Sequence, residues 1–344
     1  MTCNKNILVA MSGGVDSTAA ASLLLERGFD CAGAHLSLFD GASETEAARA
    51  AAQRLGIPLH VFDMRELFRR EVITQFIESY LRGETPNPCI VCNRHIKFGA
   101  LLDKAAQLGY DAVATGHYAR LEQSNNRRLL RKALDETKDQ SYVLYTLTQS
   151  QLARVKFPLG DMTKAQIRDY ARVKGFPNAE KSESQDICFV PGGDYAAFLA
   201  RHTGQPLRPG DFIDPQGRVL GRHRGTPCYT LGQRKGLGLA LPQPGYVCEI
   251  NPKNNTVTVG EEALLFGSTL HARDINLIAC DALDKPLRCK AKIRYRQTEQ
   301  WATAEQSGPD ALLITFDAPQ RAITPGQAVV LYDGEYVIGG GTIF

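Results

Sequence analysis

Residues 6–19 read NILVAMSGGVDSTA, an apolar run followed at once by two glycines, two serines and an aspartate, and then by helix-forming residues. A short apolar run bounded by turn residues reads as a buried strand, and STAAASLLLERG after it reads as a helix. One glycine suffices for a strand-to-helix turn, so the pair Gly13 and Gly14 needs a second reason. Without Cβ atoms they let N–H groups at a helix N-terminus come close to an anion such as a phosphate. Ser12 and Ser17 add hydroxyl donors. Asp16 would repel a phosphate unless a cation lay between them, which makes it a candidate Mg²⁺ ligand. The plainer alternative has Asp16 or Ser17 capping the helix while the glycines serve only the turn.

The apolar runs NILVA, CAGAHLSLF, LHVF and DAVATG alternate with helical patterns such as SETEAARAAAQRLG and HIKFGALLDKAAQLG. That order predicts a doubly wound parallel α/β sheet. Ligands of such sheets bind beyond the carboxyl ends of the strands, where SGGVDS, Leu36 and TGHY fall. RLEQSNNRRLLRKA reads as a basic hairpin, and DMTKAQIRDYARVKG as a helix opened by a Thr163/Gln166 capping box. From about Gly204 the helical periodicity gives way to short strands bounded by Gly, Pro and Asn. The expected division is an α/β domain over 1–203, a small β-rich domain over 204–266 and a β-rich domain over 267–344, a reasonable count for 344 residues.

Composition excludes more than it identifies. No run of about 18 apolar residues occurs and MTCNKN lacks an apolar signal core, so a cytoplasmic protein without membrane contact is expected. Nine cysteines without an export signal argue against a disulfide framework. A net charge of +3 implies no nucleic-acid partner by itself, so that reading must rest on local clusters. One cluster is PLRCKAKIRYRQT. As a strand it would put Arg288, Lys290, Lys292, Arg294 and Arg296 on one face and Leu287, Cys289, Ala291, Ile293 and Tyr295 on the other. Such a row is either a solvated outer face or a phosphate-binding one.

Three cysteines are candidates for chemistry. In TPNPCIVCNRHIKFG, Pro86 and Pro88 predict a stiff loop carrying Cys89 and Cys92 into a helix near Arg94 or His95. Nearby Arg94 and Lys97 should lower a thiol pKa there. Cys-x-x-Cys with His95 is also half of a zinc site, but no second pair of ligands has matching spacing. Cys188, in KSESQDICFVPGG, reads by itself as a core cysteine.

SGGVDS after a first strand resembles the PP-loop of the N-type ATP pyrophosphatases, and lacks the spacing and lysine of a Walker A loop. Together with TPNPCIVCNRHIKFG, ATGHYAR, KDQSYVLYTL, SQDICF, YTLGQRKGLG and RYRQT, it occurs in the order found in bacterial tRNA-specific 2-thiouridylases. The resemblance spans nearly the whole chain. It implies a PP-loop catalytic domain, a small central domain and a C-terminal β-barrel, acting with ATP and Mg²⁺ on the wobble uridine of tRNAs for Lys, Glu and Gln. It makes Cys92 the nucleophile and Cys188 the acceptor of a persulfide from a sulfur carrier, with a reductant needed for the resulting Cys92–Cys188 disulfide. Nucleotide contacts fall on Ala10, Met11 and Ser12, on Gly13, Gly14 and Val15, on Asp16 and Ser17, and on Leu36 and Gly116. Asn87, Pro88 and Cys89 would flank the target base. His117, Lys138, Asp139 and Gln140, with Arg294, Tyr295 and Gln327, would meet tRNA.

The chain departs from many of these relatives in having Cys89 where they have aspartate, and a short HLSLFDGAS where they have a longer, Trp-containing segment. Cys89, Cys92 and Cys188 together supply three thiolates, enough for a 4Fe-4S cluster with one open iron, a route that competes with the persulfide relay. An ATP-dependent amide ligase and a non-enzymatic RNA-binding protein remain alternatives on the residues alone.

Overall fold

The computed structural model describes residues 5–39, 42–176, 187–204 and 206–344. Asp40 and Gly41 of HLSLFDGAS, and Ser184, Gln185 and Asp186 ahead of Cys188, lie outside the described residues. The first half contains β1 (Asn6–Ala10), β2 (Asp30–Ser37), β3 (Leu59–Asp63), β4 (Ala112–Ala114), the hairpin β5 (Arg120–Ser124) and β6 (Arg127–Arg131), and β7 (Val155–Lys156). β3-β2-β1-β4-β7 form one parallel sheet, as the strand–helix alternation predicts. β1 is apolar after the exposed Asn6 because both its faces are covered. Leu8 packs in one core cluster and Ile7 and Val9 in another, all fully buried. The chain order reverses on either side of β1, between β2 and β4, so their carboxyl ends open a crevice there.

The middle of the chain forms β8 (Gly210–Ile213), β9 (Val219–His223), β10 (Tyr246–Asn251) and β11 (Thr256–Gly260). They form a sheet in the order β10-β11-β8-β9 over Phe212, Tyr229, Val247 and Val257. The last third holds β12 (Phe266–Leu277), β13 (Leu287–Lys292), β14 (Gln300–Gly308), β15 (Ala311–Arg321), β16 (Ala328–Asp333) and β17 (Tyr336–Ile343). These run β12-β15-β14-β13-β16-β17, and β17 pairs back onto β12, which closes a six-stranded barrel and removes its edges. The basic hairpin forms as predicted, but it lies against the barrel: Arg131 on β6 pairs with Tyr336 on β17.

The basic strand is shorter than its alternation suggests. β13 ends at Lys292, so only Arg288, Lys290 and Lys292 share its outward face, while Cys289 and Ala291 point into the barrel core. Residues 293–298 turn, and in the turn Arg294 swings inward to donate to the Ala322 carbonyl (3.1 Å) and to the Thr324 hydroxyl (2.5 Å). A guanidinium left near buried carbonyls finds internal acceptors, and period-two counting cannot see that.

Candidate active site

The SGGVDS string turns from β1 into the helix Val15–Glu26, whose N-cap is Gly14 with no side-chain cap. The reading of Asp16 or Ser17 as the cap is therefore excluded. Ser17 instead donates back to the Gly14 carbonyl (3.0 Å). Gly13 has φ +75, and a Cβ there would lie 2.5 Å from the Ala47 Cβ on the helix Ala42–Leu55. This glycine is required by packing behind the loop as well as by any anion in front of it. Gly116 does similar work: its Cβ would fall 2.8 Å from the Asp16 carbonyl carbon, so its absence lets the TGHY segment sit against the loop.

Asp16 already has a counter-charge from the protein. Both of its oxygens accept from the Lys164 ammonium at 2.7 Å, and one also accepts from the Tyr118 hydroxyl at 2.8 Å. Lys164, the first residue of the helix opened by the Thr163/Gln166 capping box, is buried although it is a lysine. Such burial is tolerated only with a partner. Among the described residues no three His, Cys, Asp or Glu side chains converge as a metal site requires. Asp16 thus meets a protein cation at both of its oxygens. Sequence reasoning recognised the Thr163/Gln166 box but missed Lys164, whose partner lies 148 positions away.

The cysteine segment differs from expectation in where its helix begins. Pro88 occupies the first helical turn, where a missing N–H costs nothing, and the Asn87 side chain caps the helix by accepting from the Cys89 N–H (3.1 Å). Helical structure then runs from Pro88–Cys92 through a π-helical stretch, Asn93–Ala100, into Leu101–Gln107. Cys89 and Cys92 are one turn apart, the first exposed and the second buried.

The expected lowering of a thiol pKa fails at Cys92. Burial pushes this thiol up, and Lys97 opposes the rise without cancelling it. Arg94 gives little help because it is paired with Asp274 at 2.6 Å. Cys188 follows Ile187 in a loop anchored by Phe189, whose ring packs 5.1 Å from Phe76, 5.3 Å from Phe198 and 5.6 Å from Phe68. Cys188 keeps an exposed edge, yet desolvation by the surrounding walls pushes its thiol up to about 12, with Cys92 and Cys89 adding to the rise.

One cavity of about 410 Å³ joins these parts. Ser12, Asp16 and Ser17 line one side, and Cys89, Cys92 and Cys188 another. Leu36, Gly116, His117 and Gln140 are part of its wall, together with Lys97 and with Glu44, which the sequence pattern did not single out. Ala10, Met11 and Pro88 also line it. His117 is buried between Phe98 and Phe157, and its Nδ1 pairs with the Thr115 hydroxyl at 2.7 Å. Burial, with Lys97 nearby, holds its pKa well below the ordinary value and so favours the neutral imidazole.

Other residues assigned by resemblance are engaged elsewhere. Asp139 is buried in a turn, accepting from the Ala133 and Ser141 N–H groups and the Ser141 hydroxyl, and Lys138 is half-buried beside it. Tyr295 packs on Tyr142, with ring centres 6.0 Å apart. Gln327 donates to the Thr85 carbonyl (2.7 Å). On the outer barrel face Trp301, the only tryptophan, is 50% exposed, with the Arg288 guanidinium 4.9 Å and the Lys290 ammonium 5.4 Å from its ring centre. Among the described residues no helix is long and apolar enough to cross a membrane.

Residues 5–192 match the family described as the tRNA methyl transferase HUP domain, 196–261 the tRNA methyl transferase PRC-barrel domain and 267–343 the aminomethyltransferase beta-barrel domain. The chain is 49% identical over 355 residues to the tRNA-specific 2-thiouridylase MnmA of Carboxydothermus hydrogenoformans, covering 98% of this chain and 97% of that protein. It is 51% identical to the protein of the same name from Moorella thermoacetica, covering 98% of each. With that of Clostridioides difficile the identity is 46%, over 100% of this chain and 99% of the relative.

Proposed function

The chain belongs to the tRNA-specific 2-thiouridylase family, and we infer that it is an ATP-dependent tRNA sulfurtransferase that converts the wobble uridine to 2-thiouridine. The observation that carries this reading is the single cavity in which an uncapped helix N-terminus meets three cysteines. The loop from Ser12 to Ser17 takes the phosphates of ATP, with Leu36 and Gly116 beside the nucleoside and Asn87 to Cys89 beside the target base. Magnesium arrives with the triphosphate as part of the substrate. Asp16, held by Lys164, serves to fix the loop.

A uracil carbonyl oxygen is a poor leaving group, so it first attacks the α-phosphate of ATP, giving an O-adenylated uridine and pyrophosphate. A persulfide-bearing carrier passes its outer sulfur to the Cys188 thiolate. The Cys92 thiolate then attacks the Cys188 sulfur, which forms a Cys92–Cys188 disulfide and expels hydrosulfide. Hydrosulfide adds to C2, AMP leaves, and a dithiol reductant returns both cysteines to thiols. Lys97 is the cation on the cavity wall that opposes the cost of forming either thiolate.

The cluster alternative needs Cys89, Cys92 and Cys188 as ligands to one group. All three line the cavity. The relay needs only two of them.

The RNA is expected to lie across the barrel face carrying Arg288, Lys290 and Trp301, since an exposed ring flanked by cations suits both base stacking and phosphate contact. Its wobble base would then enter the cavity past His117 and Gln140.

The deciding experiment is mass spectrometry of nucleosides from an unmodified wobble-uridine tRNA incubated with the protein, ATP, Mg²⁺ and a persulfide donor. 2-Thiouridine that depends on Cys92 and Cys188 supports the reading; its absence with intact tRNA binding overturns it. Iron and sulfide analysis of anaerobically purified protein, with Cys89→Ser, separates the two sulfur routes. Iron-free protein whose Cys89→Ser variant still thiolates excludes the cluster.

A further inference from the structure

The loop that leads into the cysteine helix is held by the barrel. The Thr85 N–H donates to the Pro325 carbonyl (2.8 Å), and the Thr85 carbonyl accepts from the Gln327 side chain (2.7 Å), so both backbone groups of one residue are bound by one barrel loop. Between these two anchors Gly326, at φ +87, lies so close that a Cβ would come within 3.0 Å of the Thr85 nitrogen and of the Glu84 Cβ. Two ion pairs flank the bridge, Arg273 with Glu84 (3.4 Å) and Arg94 with Asp274 (2.6 Å). The second of them grips the helix itself, two residues beyond Cys92.

The same barrel loop is also tied to the basic turn. Arg294 binds the Ala322 carbonyl and the Thr324 hydroxyl, at the near end of the segment whose far end holds Thr85. A continuous path therefore runs from the turn 293–298, through residues 322–327, to Thr85 and on to the Asn87 cap and Cys92. The middle domain adds a weaker tether, from the Thr85 hydroxyl to that of Thr230 at 3.4 Å.

We propose that the barrel loop 322–327 positions the cysteine helix for sulfur transfer, and that Gln327 is a positioning residue acting through Thr85. The proposal rests on Cys92 being the nucleophile, and it gives the barrel a part in the chemistry beyond holding RNA. A shift of about 1 Å in a reacting group costs up to a hundredfold in rate, so loosening this bridge should act on turnover.

The test uses the full chain with Gln327→Glu, which keeps the volume but removes the donor to Thr85, and with Asp274→Asn, which removes the charge facing Arg94. Asn also tolerates the left-handed backbone of position 274 (φ 52). Three quantities are measured: tRNA affinity by mobility shift, kcat and KM for thiolation, and hydrogen exchange at the Thr85 amide with the rate of Cys92 alkylation.

For Gln327→Glu the expected outcome is a fall in kcat of about tenfold or more, tRNA affinity within about twofold, and faster Thr85 exchange. Asp274→Asn should change kcat in the same direction. A loss of tRNA affinity that accounts for the whole fall in kcat/KM would make Gln327 an RNA contact and overturn the proposal, as would unchanged kcat in both variants. The exchange and alkylation measurements need no thiolation. If the parent fails to thiolate, the functional reading fails, while unaltered exchange and alkylation in the variants would separately refute the bridge.

Discussion

At Cys92 two local influences compete, and burial wins. The thiol lies above its ordinary value of 9.0 despite Lys97. The folded state therefore favours the protonated form. That stabilisation is full below the unfolded pKa and is lost as pH rises through the folded one. Alkylation of Cys92 by iodoacetamide should keep rising past pH 9 instead of levelling near neutrality. Lys97→Met should slow it at pH 8 by up to about tenfold, the effect of one pKa unit. A plateau below pH 8, or no response to Lys97→Met, would contradict the burial argument. Lys164 supports a second expectation. Removing one partner of a buried ion pair strands the other charge, so Lys164→Met should cost about 3 kcal/mol in denaturant unfolding, the low end of the usual range because Asp16 keeps some water. The cost in the Asp16→Asn background should be much smaller, because the stranded charge is then absent.

Two basic elements look alike in sequence and are used differently. In the hairpin β5–β6, Arg127 pairs with Asp281, Arg131 with Glu122 and Glu335, and Arg120 with Glu335. These three cations are committed to ion pairs, and the pairs with Asp281 and Glu335 join the hairpin to its surroundings. On β13, Lys290 and Arg288 flank Trp301 from outside, although Arg288 shares its charge with Asp317. Lys290→Ala should lower the slope of log K against log salt for tRNA binding by about one, whereas Arg131→Ala should leave that slope unchanged and destabilise the fold. Because Trp301 is the sole tryptophan, its fluorescence reads this face directly. Quenching on titration with tRNA is expected, and Trp301→Ala should weaken binding at least about fivefold if a base stacks there. Equal slopes for the two lysine and arginine variants, or silent fluorescence with normal binding, would remove the β13 face from the interface.

The barrel and the catalytic sheet behave as one body because one core passes through both. Leu8, Phe98 and Val113 belong to the same buried cluster as Ala328, Val330, Tyr332 and Val337. Polar ties cross it too: Tyr142 donates to the Ala328 carbonyl (2.8 Å), and the Asn276 amide to the Tyr145 and Leu147 carbonyls. Unfolding should accordingly be a single transition for these two parts. Trp301 fluorescence, which reports on the barrel, and helical circular dichroism, dominated by the first half, should give coincident melting curves. Separated midpoints would show that the shared core does not couple them.

What the chain's order of residues determined by itself was local or periodic. The strand–helix alternation, the turn from NILVA into a helix through Gly13 and Gly14, the Thr163/Gln166 box and the onset of short strands after Gly204 all depend on neighbours within a few positions, and each is found. The motif order likewise pointed to the family without any coordinates. Tertiary structure decided what depends on distant partners. It gave Asp16 a lysine partner, raised the Cys92 thiol instead of lowering it, turned Arg294 inward and bound Gln327 to Thr85. In each case the deciding group lies many residues away, or the deciding influence is the water excluded by packing. Neither leaves a periodic trace, because charge pairing and desolvation depend on which surfaces meet after the chain has folded.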